Sequence, residues 1–215
     1  MSAAALIIGA SGMGKSTSMR NMNPADTLLI QPVRKLLPFP NAHEWKIFNP
    51  ETKTGNILIL DDPEKILSVI QKTSKKRIVL DDYQFVLINE FMRRSKEKGY
   101  DKFTEIAFNS WQIMLKAHEL AEDKTVFFMW HPEEDEHGNV RAKTVGKLLD
   151  RHFEPHSTFS ICFMAVKQDG KHYFQTQSNG TDPAKSPIGM FEDQYIDNDL
   201  NAIDTRIREY LKMAV

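Results

Sequence analysis

Gly9-Ala10-Ser11-Gly12-Met13-Gly14-Lys15-Ser16 is the stretch on which the reading of this chain turns. Its spacing is G-x-x-x-x-G-K-[ST], the phosphate-binding P-loop pattern. The chemistry accounts for each residue type. Glycines let backbone amides converge on phosphate oxygens, the helix expected next adds a positive dipole end, Lys15 reaches the β- and γ-phosphates, and Ser16 ligates Mg²⁺. Gly9, Ser11, Gly12, Met13, Gly14, Lys15, Ser16 and Thr17 are therefore the expected nucleotide-binding residues. The competing explanation is a glycine-rich turn with an exposed lysine. Context favours the P-loop, because the motif follows the apolar Ala5 to Ile8 and precedes a helix-like start at Thr17 to Met22.

Outward from the loop, short apolar runs recur at Thr27 to Ile30, Ile57 to Leu60, Ile78 to Leu80 and Thr125 to Trp130. They have the length and the β-branched and aromatic content of buried strands. Helical spacing fills the gaps: Ile66, Leu67 and Ile70; Val86, Leu87 and Phe91; then Phe103 through Leu120. Strand and helix in alternation predict an α/β fold with a mostly parallel sheet and helices on both faces. After about residue 153 the pattern changes. Ser157 to Val166 and His172 to Gln177 flank an Asp169-Gly170 turn, which predicts a hairpin and an antiparallel C-terminal extension. Asp199 is placed to cap a last helix bearing Leu200, Ile203, Ile207 and Leu211.

A P-loop metal needs a second acidic ligand at the end of an apolar strand, and Arg77-Ile78-Val79-Leu80-Asp81-Asp82 supplies it. Asp81 is preferred over the similar Asp61-Asp62, because Asp62-Pro63-Glu64 reads as a capped helix start. Ser16 and Asp81 are the expected Mg²⁺ ligands, and Asp82 lies next to them. Two strand candidates separate the loop strand from the Asp81 strand. That suits the layout in which Thr125 to Trp130 inserts between those two, and His131 then faces the γ-phosphate. The alternative is a histidine that merely closes a strand.

The 215 residues are 41% apolar and 27% charged, enough for one folded domain over 1–215 and too rich in apolar residues for a disordered chain. Net charge is −1, so there is no global basic footprint for nucleic acid and any such site must be local. The lone Cys162 makes no internal disulfide, which favours a reducing, cytoplasmic setting. The longest apolar runs are about six residues, far short of a membrane helix, and the start lacks the basic region of a signal peptide. The remaining histidines show no zinc-ligand spacing with Cys162.

The stretches GASGMGKST, LLIQPVRKLLPF, RIVLDDYQF, EKGYDKFTEIA, FFMWHPEEDEHGNVRAKTVGKLLD, HYFQTQSNGTDPAKSPIGMF and NDLNAIDTRIREYL resemble the phage-encoded P-loop ATPases with a minimal RecA-like core. That group includes single-strand annealing and recombination proteins. The resemblance runs through nearly the whole chain and implies ATP- and Mg²⁺-dependent work on single-stranded DNA in phage recombination or replication. It also implies a shared ATP site between copies in a homo-oligomer, with Lys185 of Asp182-Pro183-Ala184-Lys185-Ser186-Pro187 in the place of a lysine finger. A solvent-exposed turn lysine is the alternative. The chain departs from the family where the second strand ends, at Gln31 in place of a water-polarising glutamate, which leaves Asp82 and Glu44 as the base candidates. Recombinases of this type also carry an N-terminal polymerisation segment, whereas here the loop begins at residue 9, so filament formation is not implied.

Two segments are locally basic. Arg93, Arg94, Lys96, Lys98 and Lys102 surround Gly99-Tyr100, and Arg141, Lys143 and Lys147 follow His131. Both follow strands that end at the nucleotide, where RecA-like proteins carry their DNA loops. Tyr100 or Phe103 is placed to stack a base. Against this, RRSKEK suits a solvated helix face, and Glu133 to Glu136 repel phosphate. Three classes of function are therefore expected in order: a DNA-dependent ATPase, a nucleotide-gated module that holds a partner such as a single-strand binding protein, and a small-molecule kinase.

Overall fold

The computed structural model describes residues 2–145 and 153–213. The elements run β1 (Ala3–Ile8), β2 (Thr27–Gln31), β3 (Ile57–Ile59), α1 (Pro63–Lys72), β4 (Arg77–Leu80), α2 (Gln84–Arg93) and α3 (Asp101–His118). There follow β5 (Thr125–Trp130), β6 (Pro132–Glu134), β7 (Val140–Ala142), β8 (Ile161–Gln168), β9 (Lys171–Gln175), β10 (Tyr195–Asp197) and α4 (Leu200–Leu211). Among the described residues ten strands make two sheets, the larger in the order β10-β9-β8-β1-β5-β4-β2-β3 and the smaller a β6-β7 hairpin.

From β8 to β3 every pairing is parallel. Strands β1 and β5 are buried along their whole lengths, which is what helices on both faces of a parallel sheet require. β5 lies between β1 and β4, pairing Ala3 with Thr125 on one side and Arg77 with Thr125 on the other. The carboxyl ends of β1 and β4 are thus one strand apart, with the end of β5 between them. Beyond β8 the pairing turns antiparallel. The reversal is made by Asp169 and Gly170, both at positive φ (49° and 81°), as a two-residue hairpin turn demands.

Alternation along the strands divides the core in two. Ala4, Leu6, Ile8, Ile78, Leu80, Val126, Phe128 and Trp130 face α1, α2 and α3, which offer Ile66, Ile70, Val86, Leu87, Ile106, Ile113 and Met114. Ala5, Ile7, Leu29, Val79, Phe127, Met129 and Phe163 face the opposite side, where Met19, Leu200, Ile203 and Ile207 cover them. Each such isoleucine or leucine, fully buried, is worth about 1.5–3 kcal/mol against exposure.

Local chemistry sets the helix ends. Asp62 accepts from the Lys65 N–H at 3.1 Å with Pro63 in the first turn of α1, and Asp199 accepts from the amides of Asn201 and Ala202 to open α4. α4 is further fastened by Asp204, which is wholly buried and accepts from Arg77 and from Arg208. One expectation is corrected in form. The segment after the Gly9–Ser16 loop is a six-residue 3-10 helix, Ser16–Asn21, and not an α-helix. Pro24 disfavours helical backbone at Asn23, and the chain is already extended at Met22 (ψ 144°). Among the described residues no helix is long and apolar enough to cross a membrane.

Candidate functional site

The site gathers at the carboxyl ends of four neighbouring parallel strands. β1 runs into the Gly9–Ser16 loop, β2 ends at Gln31, β4 runs into Asp81-Asp82, and β5 into His131. Gly9 continues the ladder, donating its N–H to Trp130 O at 3.0 Å, and a Cβ there would sit 2.8 Å from that of Ala165 on β8. Only glycine permits that approach. Gly14 has φ 89°, and a Cβ on it would meet Asn198 and the His172 ring at 3.1 Å. Ser11 and Gly12 form the exposed tip of the loop, while Met13 packs partly into the second core and Thr17 is half-buried.

Lys15 and Ser16 are held on opposite partners. The Lys15 ammonium is buried and donates to the carbonyl oxygens of Gly9 (2.6 Å) and Ala10 (3.2 Å) on its own loop. The Ser16 hydroxyl contacts both carboxylate oxygens of Asp81, at 2.9 and 3.0 Å. Gln31, also buried, brings its amide nitrogen to 3.5 Å from Asp81. Asp62, in contrast, is occupied as the α1 cap, so of the two acidic pairs only Asp81-Asp82 meets the loop.

Asp82 adopts a left-handed backbone (φ 53°), a conformation that costs a non-glycine residue energy and is found where surroundings impose it. Its carboxylate is shared. His131 Nε2 lies 2.9 Å from one oxygen, and Lys35, from the connection after β2, pairs with the other. The His131 backbone N–H donates to Gln84 Oε1 at 3.0 Å, which ties the end of β5 to the start of α2.

The charges of this group are coupled. Burial, then the neighbouring Asp82 charge, pushes the Asp81 carboxyl up, only partly offset by Ser16, Gln31 and Lys15. Burial also pushes Asp82 up, but the hydrogen bonds from His131 and Lys35 outweigh it and hold that carboxyl well below the ordinary carboxylate range. Lys15 is lowered, first by burial, with Asp82 and Asp81 opposing and Lys35 adding to the effect. A buried carboxylate whose charge is disfavoured, against a serine hydroxyl, is a place where a divalent cation would relieve the strain. Among the described residues no group of three or more His, Cys, Asp or Glu side chains is arranged to hold a metal. A cation at Ser16 and Asp81 would complete its shell with phosphate and water oxygens, as Mg²⁺ habitually does.

Other expected residues fall further out. Lys185 pairs through its backbone with Cys162 on the outer edge of β8, where Cys162 is in register with Leu6, two positions before Ile8. Arg93 is paired with Asp61 at 2.6 Å, and Arg94 with Glu97 and Glu105 at 2.8 and 2.6 Å, so both charges are neutralised within the chain. Tyr100 is 73% exposed, but Phe103 packs on Phe91 with ring centroids 5.6 Å apart. The segment after His131 is not an open loop but the β6-β7 hairpin, with Arg141 opposite Glu133 at 3.6 Å. The Lys143 carbonyl accepts from Trp130 Nε1 at 2.6 Å, and Lys147 lies outside the described residues. Glu44 ends an exposed 3-10 turn, Pro40–Glu44.

The site residues not foreseen are Lys35, Gln84, His172 and Asn198. His172 Nε2 lies 3.0 Å from Gly12 O, and its place two residues after the Asp169-Gly170 turn is the hint available in the sequence. No family model matches the chain, and no curated protein matches it.

Proposed function

We propose that the chain is a Mg²⁺-dependent P-loop ATPase with a RecA-like core that acts on single-stranded DNA, as the resemblance to phage recombination ATPases implies. The observation that carries the nucleotide part is the meeting of the Ser16 hydroxyl with Asp81 beside the buried Lys15. A glycine-rich turn with a merely exposed lysine has no reason to bring those three together at the ends of β1 and β4. In this reading the Gly9–Ser16 amides and Lys15 bind the phosphates, and Ser16 and Asp81 hold the metal. Bound there, Mg²⁺ would supply positive charge against the phosphates.

The base is weak in this site. Asp82, held anionic by His131 and Lys35, has little affinity for a water proton, and Gln31 offers an amide that orients a water without deprotonating it. Slow basal turnover follows. That same observation supports the second reading, a nucleotide-gated module that turns over little and works by holding a partner.

Coupling to DNA is supported by position. The β6-β7 hairpin begins one residue after His131, whose ring contacts Asp82. A change at the γ-phosphate that moves His131 moves the hairpin carrying Arg141 and Lys143. The test is phosphate release from Mg·ATP with and without single-stranded DNA, for the wild type and for Lys15→Ala. Stimulation by DNA that disappears in the variant supports the ATPase. Nucleotide binding with no release under either condition favours the gated module, and transfer to a small acceptor alone overturns both.

A further inference from the structure

Lys35 has no role in the P-loop pattern, yet its ammonium reaches the centre of the site. It pairs with Asp82, lies 4.9 Å from the centroid of the Phe85 ring, and is close enough to Lys15 to lower that lysine's proton affinity. The chain that carries it is braced. Pro32, Pro38 and Pro40 stiffen the connection after β2, and the buried Phe39 packs edge-on against Trp45 with centroids 6.1 Å apart. Its side chain is not locked in, however. Lys35 is 41% exposed and, with Gln31 and Trp45, lines a cleft of about 230 Å³. The ammonium is therefore pre-positioned by Phe85 and Asp82 and has room to swing.

We propose that Lys35 is a second phosphate-binding cation of this site, which exchanges Asp82 for the terminal phosphate of a bound nucleoside triphosphate. This rests on the nucleotide reading above and extends it. The recognised group is the γ-phosphate, whose greater negative charge competes for the ammonium better than one carboxylate does. A diphosphate lacks that group, so Lys35 stays on Asp82. The exchange leaves Asp82 to His131 alone, and through His131 it reaches the β6-β7 hairpin. Lys35 thus tells triphosphate from diphosphate from within the same chain, without a residue from a second copy.

The experiment is equilibrium binding of fluorescent ATP and ADP analogues, each with Mg²⁺, to the wild type, Lys35→Met, Lys35→Arg and Lys15→Ala. Lys35→Met keeps an unbranched aliphatic stem and removes the charge. It is expected to weaken triphosphate binding about tenfold while diphosphate binding stays within about twofold, the size of one lost charge-assisted contact. Lys35→Arg is expected to restore most of the difference, and Lys15→Ala to weaken both ligands. Equal losses for the two nucleotides in Lys35→Met, or no loss for either, would show Lys35 to be a structural partner of Asp82 and overturn the proposal alone. A wild type that binds neither nucleotide would overturn the nucleotide reading, and this proposal with it.

Discussion

The Ser16 hydroxyl and the Asp81 carboxylate meet at 2.9 Å across 65 residues of sequence, one at the loop after β1 and the other at the end of β4. The contact joins the loop hydroxyl to a carboxylate that pays for its burial. Burial and the adjacent Asp82 raise the Asp81 pKa, so the charged form is disfavoured in the fold relative to the unfolded chain. That penalty is complete above the raised pKa and vanishes once pH falls below the unfolded value. Asp81→Asn is therefore expected to stabilise the ligand-free protein at neutral pH by about 1 kcal/mol and to abolish the Mg²⁺ dependence of nucleotide binding. Thermal unfolding at pH 7 and in acid checks it: the advantage of the variant should shrink as pH falls. A variant less stable than the wild type at pH 7 would contradict the electrostatic account.

Asp62 is the built-in control. Like Asp81 it belongs to an acid pair that follows an apolar run, but it caps α1 through the Lys65 N–H. Asp62→Ala should cost about 1 kcal/mol of stability by denaturant unfolding. Mg·ATP affinity should be unchanged at a temperature where the variant is folded.

Asp204 is wholly buried and accepts from both Arg77 and Arg208, which fastens α4 to the amino-terminal end of β4, away from the loop. Removing the carboxylate leaves two guanidinium groups near each other with their shared counter-charge gone. Asp204→Ala is expected to lose about 3 kcal/mol or more in urea unfolding, a far larger effect than any change at the exposed loop tip.

How much of this was legible in the sequence depends on the distance over which a residue acts. The strands that carry the site were readable because each is a short apolar run, and β5 falls between β1 and β4 as the two intervening strand candidates implied. The choice of Asp81 over Asp62 rested on Asp-Pro-Glu as a helix start, and Asp62 does cap α1. Lys35 was invisible in its role because it sits in an unpatterned, proline-broken connection, and its partner Asp82 is 47 residues away. The β8-β9 hairpin that carries His172 is legible from the Asp169-Gly170 turn, but its docking beside β1, which brings His172 and Asn198 to Gly12 and Gly14, is a long-range pairing that local spacing does not encode. The pairing of Arg93-Arg94 is only partly visible in the sequence, because Glu97 lies within the run but Asp61 and Glu105 lie outside it.

Those ion pairs separate the two basic segments experimentally. Replacing Arg141, Lys143 and Lys147 by alanine should weaken single-strand binding and flatten its salt dependence by about 2 log units per log unit of salt. Replacing Arg93 and Arg94, whose carboxylate partners lie at 2.6 to 2.8 Å against 3.6 Å for Arg141 and Glu133, should change that slope less. Filter binding over a range of salt concentrations distinguishes the segments, and the reverse pattern would move the proposed DNA contact from the β6-β7 hairpin to the end of α2.

The central claim is that the loop from Gly9 to Ser16 binds nucleotide phosphates with the help of Lys15 and a metal on Ser16 and Asp81. Calorimetric titration of the wild type with ATP, in Mg²⁺ and in EDTA, tests it most directly beside the same titration of Lys15→Ala. The expected result is saturable, Mg²⁺-strengthened binding to the wild type that weakens about tenfold or more in a variant still folded by circular dichroism. Equal ATP affinity for wild type and Lys15→Ala, or no heat of binding to the wild type in Mg²⁺, would contradict it.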